Sequence, residues 1–355
     1  MNYAPARAAA VTGAMAILAP ILALCAVWEA ATLRVLWGLL TVRRQWWLVL
    51  AARLAPVLAV GVLIHLALYA EALLLPSPAW PGWELPSLSL VGVLAWTAFG
   101  AALALVLGRL LAMTAALLVP YLALTLPAGW QPFWLRHVNG SPFDCCSTSE
   151  VLDPRVLVGS VGVLGAVAVL SVCVAQVRLA PSQYRPWAAA VVAVAALVGA
   201  AGGITAVAGL GPMPTRTRPA DALVCRLPVC LWPEDAAAFA ANEAAWRAAS
   251  AAWTDLGLPA PAVDRIGPIQ AEGMLAITTT ATSEESARAT MAQMLPRALA
   301  NCLRDFSDPA RDQRLDQLSA LLAAELGVAQ ALGDVAAPVP TEAPRLWREV
   351  GRCGE

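Results

Sequence analysis

The chain has 355 residues, of which 59% are hydrophobic and 13% charged, and its net charge is −1. Soluble domains carry about 25% charged residues, so this composition excludes an ordinary water-soluble protein and is typical of a membrane protein. The near-neutral charge offers no basic surface, so nucleic acid is not expected as a partner.

Apolar runs long enough to span a bilayer fill most of the first 210 residues. A transmembrane helix needs about 20 apolar residues, and six runs approach or reach that length. They are Ala8–Trp28, Leu54–Leu75, Leu88–Leu107, Leu110–Leu126, Val156–Val177 and Trp187–Leu210. We interpret the first run as a retained span and not as a cleaved signal peptide. The sequence therefore predicts an α-helical membrane bundle over residues 1–210, with the lipid bilayer as its surroundings.

The arginines in the short loops predict the orientation of this bundle. Cytoplasmic loops of membrane proteins carry an excess of basic residues. The loops fall into two alternating sets, one on each side of the membrane, and one set contains more arginines than the other. The richer set contains Arg34, Arg43, Arg44, Arg53, Arg109, Arg178 and Arg185. We therefore expect a multi-pass plasma-membrane protein with both termini outside the cytoplasm.

The segment Glu29–Leu48 on the predicted inner side mixes charged residues with leucines and tryptophans. This pattern is typical of an interfacial helix. One interpretation is a coupling helix in which Glu29, Arg34, Arg43 and Arg44 contact a cytoplasmic ATPase. The other is a simple anchor, in which the arginines hold the chain on the cytoplasmic side.

His65 is the clearest ionisable residue within a predicted span, and Glu71 lies nearer the outer end of the same span. Polar residues are costly in lipid, so such residues are expected to have a function. The alternative for His65 is a neutral imidazole that hydrogen-bonds to a neighbouring helix. Because the two residues are six positions apart, they do not share a helix face and do not predict a proton-coupled pair.

Six of the eight cysteines fall on the side that is predicted to face outward. An even number of cysteines in an oxidising compartment favours disulfides. Cys225 and Cys230 flank a short turn and form the most plausible local pair, and Cys302 with Cys353 would hold the tail. The adjacent Cys145 and Cys146 pair with each other or with the soluble domain. A zinc site is the alternative, but histidine ligands are scarce, and no metal site is predicted.

After Leu210 the sequence takes on the pattern of a small, mainly helical α+β soluble domain. Residues 211–222 are rich in proline and predict a hinge, and residues 223–355 form the extracytoplasmic domain. Helices are expected over Glu234–Leu256, from a capping box at Thr282 and Glu285 towards Phe306, and from Asp308 to near Gly333. Gly273–Thr280 is typical of a strand. Phe239, Trp246 and Trp253 recur every seven residues and indicate a core stripe.

Sequence motifs for catalysis or cofactor binding are missing from this chain. No His-Glu-x-x-His or Gly-x-Ser-x-Gly pattern occurs, and the absence of lysine rules out a standard nucleotide-binding P-loop. We therefore expect neither an enzyme nor a cofactor-binding protein, and ATP-driven work would need a separate subunit.

Five short stretches together resemble a family of uncharacterised bacterial membrane proteins. They are Trp28–Arg34, Trp134–His137, Cys145–Ser147, Asp153–Arg155 and Val229–Glu234. The family resembled is one of multi-pass proteins described as permease-like subunits of ABC exporters, with an extracytoplasmic domain of unknown function after the last span. The resemblance implies a transport subunit that works with a separate ATPase and forms the pathway alone or as half of a homodimer. The alternative is a sensor or assembly protein whose outer domain binds a ligand or a partner without transport.

Overall fold

The computed structural model of this protein describes residues 4–36, 45–74, 82–142, 145–180, 185–301, 308–332 and 338–350. The chain forms two compact units, Met1–Thr217 and Arg218–Glu355. The first unit is a helical bundle, and the second is a small domain of helices around a short-stranded sheet. Arg43, Arg44, Cys302 and Cys353 lie outside the described residues, so the predictions made for them remain predictions.

Five helical segments of the first unit have the length and apolar composition needed to cross a membrane. The first comprises α1 (Ala4–Gly13) and α2 (Met15–Leu36), which follow one another with one residue between them. The others are α3 (Trp46–Leu74), α4 (Glu84–Val106), α7 (Pro154–Leu179) and α8 (Pro186–Val207). The predicted span Leu110–Leu126 is the shorter helix α5 (Arg109–Thr125) of 17 residues. At about 1.5 Å per residue, α5 is about 26 Å long, slightly less than the hydrocarbon core of a bilayer.

Helix α2 lies at the centre of the bundle, where it packs against α3, α4 and α5. Its buried face carries alanines at helical spacing, and Ala19, Ala23, Ala26 and Ala30 have no exposed surface. A Cβ atom added at Gly100 of α4 would lie 2.1 Å from the carbonyl oxygen of Ala23. Small residues therefore let α2 and α4 approach until their backbones touch, as is usual for helices packed in membranes.

Helices α7 and α8 form a second close pair that is also built on glycine. A Cβ atom at Gly162 would lie 2.7 Å from the carbonyl oxygen of Gly199, and one at Gly203 would lie 3.0 Å from that of Gly159. The remaining surface of α8 is mostly exposed and apolar. Such a surface fits lipid better than water.

The helices of the bundle alternate in direction between two ends. At one end, which we name the arginine end, Arg34, Arg53 and Arg109 lie near one another. Arg34 Nη1 donates to the carbonyl oxygen of Leu107 at 2.9 Å, and the Arg109 guanidinium lies 3.9 Å from the Trp28 ring centre. The distribution of arginines in the loops predicts that these three lie on one side of the membrane, and the bundle brings them to the same end.

At the opposite end, a loop between α5 and α7 holds the chain that leaves α8. This loop contains α6 (Trp134–His137) and β1 (Glu150–Leu152), and β1 pairs antiparallel with β2 (Thr215–Thr217). Arg136 Nη1 donates to the carbonyl oxygen of Pro212 at 3.0 Å, and the Asp153 N–H donates to that of Pro214 at 2.9 Å. The first seven residues of the predicted hinge are thus bound to the bundle.

The described part of the second unit contains a four-stranded sheet and four α-helices. Strands β3 (Val224–Arg226) and β4 (Val229–Leu231) form an antiparallel hairpin. Strands β5 (Arg265–Gly267) and β6 (Met274–Ala276) extend the sheet in parallel, in the order β3-β4-β5-β6. The helices are α9 (Phe239–Asp255), α10 (Glu284–Leu299), α11 (Pro309–Glu325) and α12 (Ala343–Val350).

The core of the second unit includes the predicted aromatic stripe of α9. Phe239, Trp246 and Trp253 are all buried, together with the leucines of α11. Trp253 also meets Trp347 of α12 edge-on, with ring centres 5.1 Å apart. The prediction that this stripe forms a core is confirmed.

Three helix boundaries in this unit differ from those predicted. A 3-10 turn over Pro233–Ala238 precedes α9, so the α-helix begins at Phe239. The residue that caps α10 is Ser283 and not Thr282, because Ser283 Oγ accepts from the Ser286 N–H. Helix α11 ends at Glu325, well before Gly333, because Gly327 turns the chain with a φ of +71° that favours glycine.

Candidate functional site

His65 and Tyr69 lie one helical turn apart on the buried face of α3. This face also includes Leu54, Val57 and Gly61, at spacings of three and four residues that place them on one side of the helix. His65 is 5% exposed and lies nine residues before the end of α3, which corresponds to about 14 Å of helix. The face therefore turns two polar side chains towards the inside of the bundle, in the half that is opposite the arginine end.

The hydrogen bonds of His65 fix which of its ring nitrogens carries the proton. Nδ1 lies 3.1 Å from the carbonyl oxygen of Gly61, one turn earlier in α3. Because a carbonyl can only accept, Nδ1 must carry the hydrogen, and Nε2 of the neutral ring is then an acceptor. Nε2 is buried and has no hydrogen-bond partner in the described part of the chain. His65 thus presents an unused lone pair inside the bundle.

Tyr69 joins a cluster of three hydroxyl groups from three helices. Its Oη lies 2.8 Å from Thr12 Oγ1 of α1 and 3.1 Å from Ser89 Oγ of α4. Thr12 directs its single hydroxyl hydrogen to the carbonyl oxygen of Ala8 at 2.9 Å. Tyr69 must therefore donate to Thr12, and Ser89 donates to Tyr69 or to Thr12. The hydroxyl hydrogens of Tyr69 and Ser89 are thus used within the cluster, and that of Thr12 is used by the Ala8 carbonyl.

A cavity of about 210 Å³ lies beside these groups, between α3 and α4. His65, Tyr69, Ser87 and Ser89 are among its lining residues. Its apolar walls are formed by Val62, Leu66, Trp83, Pro86, Leu90 and Val93. Leu66, Trp83 and Leu90 are largely exposed, so the cavity opens towards the outer surface of the bundle. We name this cavity, with its ten lining residues, the α3–α4 pocket. An apolar pocket with a few polar groups is the usual form of a small-molecule site.

The other predicted polar and charged residues do not join this pocket. Glu71 is exposed and lies off the buried face of α3. Glu29 and Arg34 lie at the arginine end, where Glu29 Oε2 is 3.9 Å from Arg53 Nη1 and Arg34 caps the end of α4. The pairing of His65 with Tyr69, and not with Glu71, follows from the spacing of four residues, which is visible in the sequence. Thr12 and Ser89 carry no comparable signal, because their contacts depend on how three helices pack.

Four of the cysteines that the structure describes form two pairs. Cys225 and Cys230 are opposite one another in the hairpin β3–β4 and are joined in a disulfide. The adjacent Cys145 and Cys146 are also linked to each other. Cys25 and Cys173, within α2 and α7, are free. No group of three metal-ligating side chains occurs among the described residues.

His137 and Asp153 are two further titratable groups in the loop that holds the exit of α8. His137 Nε2 donates to the carbonyl oxygen of Gly211 at 2.8 Å. Burial lowers the pKa of His137, and the nearby Arg136 lowers it further, against the opposing effects of Gly211 and Asp153. Arg155 holds the pKa of the Asp153 carboxyl below its usual range by hydrogen bonding. The hydrogen bonds of these groups fix the loop, so we interpret them as structural.

Comparisons with protein families, with curated proteins and with solved structures found no match. The assignment of function therefore depends on the geometry of the bundle and on the sequence features described above.

Proposed function

We propose that this chain is the membrane subunit of an ABC-type exporter that works with a separate ATPase. In this proposal the bundle, or two copies of it, forms the substrate pathway. The arginine end faces the cytoplasm and binds the ATPase. The second unit lies outside the cytoplasm and receives or presents the substrate. The resemblance of five sequence stretches to permease-like subunits supports the proposal.

The structural observation that carries the proposal is the position of α2 at the centre of the bundle. The predicted ATPase-contact segment Glu29–Leu48 begins in α2, which carries Glu29 and Arg34 at the arginine end. Helix α2 packs against α3, α4 and α5, and Arg34 and the Glu29–Arg53 pair tie it to its neighbours. Rigid helices in contact can carry a displacement across a bundle. An ATPase that binds the predicted contact segment would therefore act on the bundle through α2.

The proposal is tested by purification of the chain from its native membrane. An ATPase subunit should be recovered with it, and vesicles that contain both should show ATP-dependent export. The double variant Arg43→Ala/Arg44→Ala should lose the ATPase. Arg178→Ala is the matched control, because Arg178 is an exposed arginine at the end of α7 on the same predicted side. Recovery of no ATPase, with no ATP-dependent flux, would refute the proposal.

A second function, that of a membrane sensor or assembly protein, is favoured by the distribution of polar groups. The α3–α4 pocket lies in the half of the bundle opposite the arginine end. Between α2, α4 and α5 at the arginine end, the described interior consists of apolar residues, mainly alanine and leucine. A sensor needs a site that opens on one side only, whereas a permease must open a path across the bundle. Ligand binding without any flux would favour the sensor.

A further inference from the structure

We propose that a groove between α4 and α7 binds an anionic phospholipid, with one acyl chain in the groove and the phosphate at Arg178 and Arg34. This inference goes beyond the proposed function and does not depend on whether the chain belongs to an exporter. Three observations carry it: the apolar lining of the groove, the two arginines at its end, and the lack of acidic side chains that could pair with them.

The groove has a volume of about 370 Å³ and lies in the half of the bundle that includes the arginine end. We name it the α4–α7 groove. On both helices its lining residues recur at intervals of three and four, so they form a stripe along each helix axis. They are Phe99, Ala102, Leu103, Val106 and Leu107 of α4, and Val167, Leu170, Ser171 and Val174 of α7. The stripe on α4 is about 12 Å long, close to the hydrocarbon depth of one leaflet, about 15 Å.

The lining of the groove fits a hydrocarbon chain. Eight of the nine lining residues are apolar, and the ninth, Ser171, donates its hydroxyl hydrogen to the carbonyl oxygen of Val167 at 2.7 Å. A charged head group inside the groove would lie among apolar side chains, at a high cost in lost hydration. Val106 is 42% exposed, so the groove opens on the outer surface of the bundle, which faces lipid in a membrane. An acyl chain can therefore enter it directly from the bilayer.

Two arginines lie where the groove reaches the arginine end. Arg178 follows Val174 by one helical turn, and the Cα–Cβ bonds of a helix tilt towards its N-terminus, so the side chain of Arg178 begins above the lining stripe of α7. Arg34 Nη1 donates to the carbonyl oxygen of Leu107, a lining residue, at 2.9 Å. Both arginines are exposed. A guanidinium has five N–H donors and can bind two phosphate oxygens at once.

The two arginines have no salt-bridge partner in the described part of the chain. Helices α7 and α8 contain no acidic residue, and the acidic residue of α4, Glu84, lies at its other end. Glu29 lies at the arginine end, but its carboxylate is 3.9 Å from Arg53.

This distribution of charge favours an anionic lipid over a second copy of the chain as the occupant of the groove. The transmembrane helices of a second copy would bring the same shortage of acidic side chains to the arginine end. An anionic phospholipid supplies both a hydrocarbon chain for the groove and a negative charge for the arginines. Basic pockets between transmembrane helices are a usual form of site for such head groups.

The inference is tested with the purified full-length chain in phosphatidylcholine nanodiscs and two photoactivatable lipids. The probes are a phosphatidylglycerol and a phosphatidylcholine that carry the same diazirine-bearing acyl chain, each added as a minor component. Labelled peptides are identified by mass spectrometry, and the exposed surface of α8 serves as the internal reference. Relative to α8, the phosphatidylglycerol should label the segments that line the groove at least about fivefold more than the phosphatidylcholine, the factor expected for one basic side chain near a membrane surface.

Two arginine variants connect this preference with the head group. In Arg178→Gln most of the preference for phosphatidylglycerol should be lost, because the groove keeps its lining but loses a positive charge. Arg53→Gln is the matched control, since it removes the same charge from the same end, but on α3 and outside the groove. It should keep the preference. The comparison of the two lipids on the unaltered chain does not depend on whether a variant folds.

Two tryptophan variants connect the labelling with the groove. Val106→Trp places a large ring at a partly exposed lining position, so labelling of the groove by both lipids should fall. Leu94→Trp is the control, because Leu94 is an exposed residue of the same helix that does not line the groove. It should leave the labelling unchanged.

Equal labelling of the groove by the two lipids on the unaltered chain would overturn the inference. Labelling of the groove by neither lipid would also overturn it and would favour a second copy of the chain as the occupant. Failure of this inference is distinct from failure of the proposed function. An anionic-lipid preference in a chain that recovers no ATPase would support the groove site and refute the exporter, and a recovered ATPase without this preference would do the reverse.

Discussion

The side chain of Asn242 makes hydrogen bonds to the backbone that follows β6, as a neighbouring strand would do in a sheet. Its Oδ1 accepts from the Thr279 N–H at 3.0 Å, and its Nδ2 donates to the carbonyl oxygens of Thr279 at 2.8 Å and of Ala238 at 2.9 Å. The side chain is completely buried on the apolar face of α9. One side-chain amide thus provides hydrogen-bond partners for three backbone groups. Buried backbone groups need such partners.

We predict that Asn242→Ala lowers the free energy of unfolding of the second unit by about 2–4 kcal/mol, because several backbone groups lose their partner at once. The matched control is Ser319→Ala, which removes a single hydrogen bond to the carbonyl oxygen of Gln293 and should cost about 1 kcal/mol. Both are measured on the full-length chain as the urea concentration at which the second unit loses resistance to a pulse of protease. Equal effects of the two substitutions would contradict this role of Asn242.

Sequence patterns predict part of what these residues do. Asn242 lies between Phe239 and Trp246 on the apolar stripe of α9, so a buried polar residue could be anticipated there. Its partner Thr279 could not, because the contact joins residues 37 positions apart. His65 and Tyr69 are similar: their common face follows from their spacing, whereas Thr12 and Ser89 join them only through the packing of α1 and α4.

At the scale of helices, the contact between α2 and α4 depends on Gly100. The Cβ atom of any other residue would overlap the carbonyl oxygen of Ala23, and a backbone atom cannot move aside as a flexible side chain can. We predict that Gly100→Ala lowers the stability of the bundle by about 3 kcal/mol or more. The readout is the thermal unfolding midpoint of the full-length chain in detergent.

The control for Gly100→Ala is Gly165→Ala. Gly165 lies within α7, and a Cβ atom there would meet no other atom within 4 Å. Because alanine favours the helix more than glycine does, this substitution should leave the midpoint unchanged or raise it. A fall of similar size in both variants would show that loss of a helix glycine, and not the contact with Ala23, is responsible.

The attachment of residues 211–217, which follow α8, to the loop that contains α6 should weaken in acid. Burial lowers the pKa of His137 in the folded chain, so the folded state favours the neutral ring, and the unfolded state binds the proton more readily. The stability contributed by His137 is therefore fully present above the ordinary histidine pKa of about 6.5, and it is lost as the pH falls below that value. The second proton would go to Nδ1, which is buried and has no partner in the described chain.

Hydrogen exchange of residues 211–217 measures this effect. Beyond the intrinsic change with pH, their exchange should become faster between pH 7 and pH 5, relative to that of residues in α9. In His137→Gln, which keeps an N–H donor but cannot be protonated, the relative rate should not depend on pH. A relative rate that does not change with pH in the unaltered chain would contradict the role assigned to His137.

For the molecule as a whole, the sequence predicts the positions of the helices in the bundle better than the number of helices that cross the membrane. The runs that predict spans correspond to helices, because a bilayer requires long apolar segments with satisfied backbones. The alternation of arginine-rich loops agrees with the grouping of Arg34, Arg53 and Arg109 at one end. The short strands of the second unit were harder to anticipate, since segments of three residues carry almost no periodic signal.

Whether α5 crosses the membrane decides how many crossings the bundle makes. It also decides on which side of the membrane the second unit lies. Helix α5 runs from Arg109, at the arginine end, to Leu124, which packs with Met15 and Leu18 towards the opposite end. Its 17 residues are about 26 Å long, so it can cross a bilayer of about 30 Å only if the loops at its two ends reach the interfaces. If α5 did not cross, α7 and α8 would be inverted, and the second unit would lie on the other side.

Single cysteines at the two ends of α5 decide between these arrangements. Gly108 and Gly129 flank the helix, and a Cβ atom at either would meet no other atom within 4 Å, so both accept a side chain. In intact cells of a parent chain whose eight native cysteines are replaced by alanine, a membrane-impermeant maleimide should label Gly129→Cys and not Gly108→Cys. Equal labelling of the two would mean that α5 does not cross. The reverse pattern would place the arginine end outside and leave the proposed ATPase contact on the wrong side of the membrane.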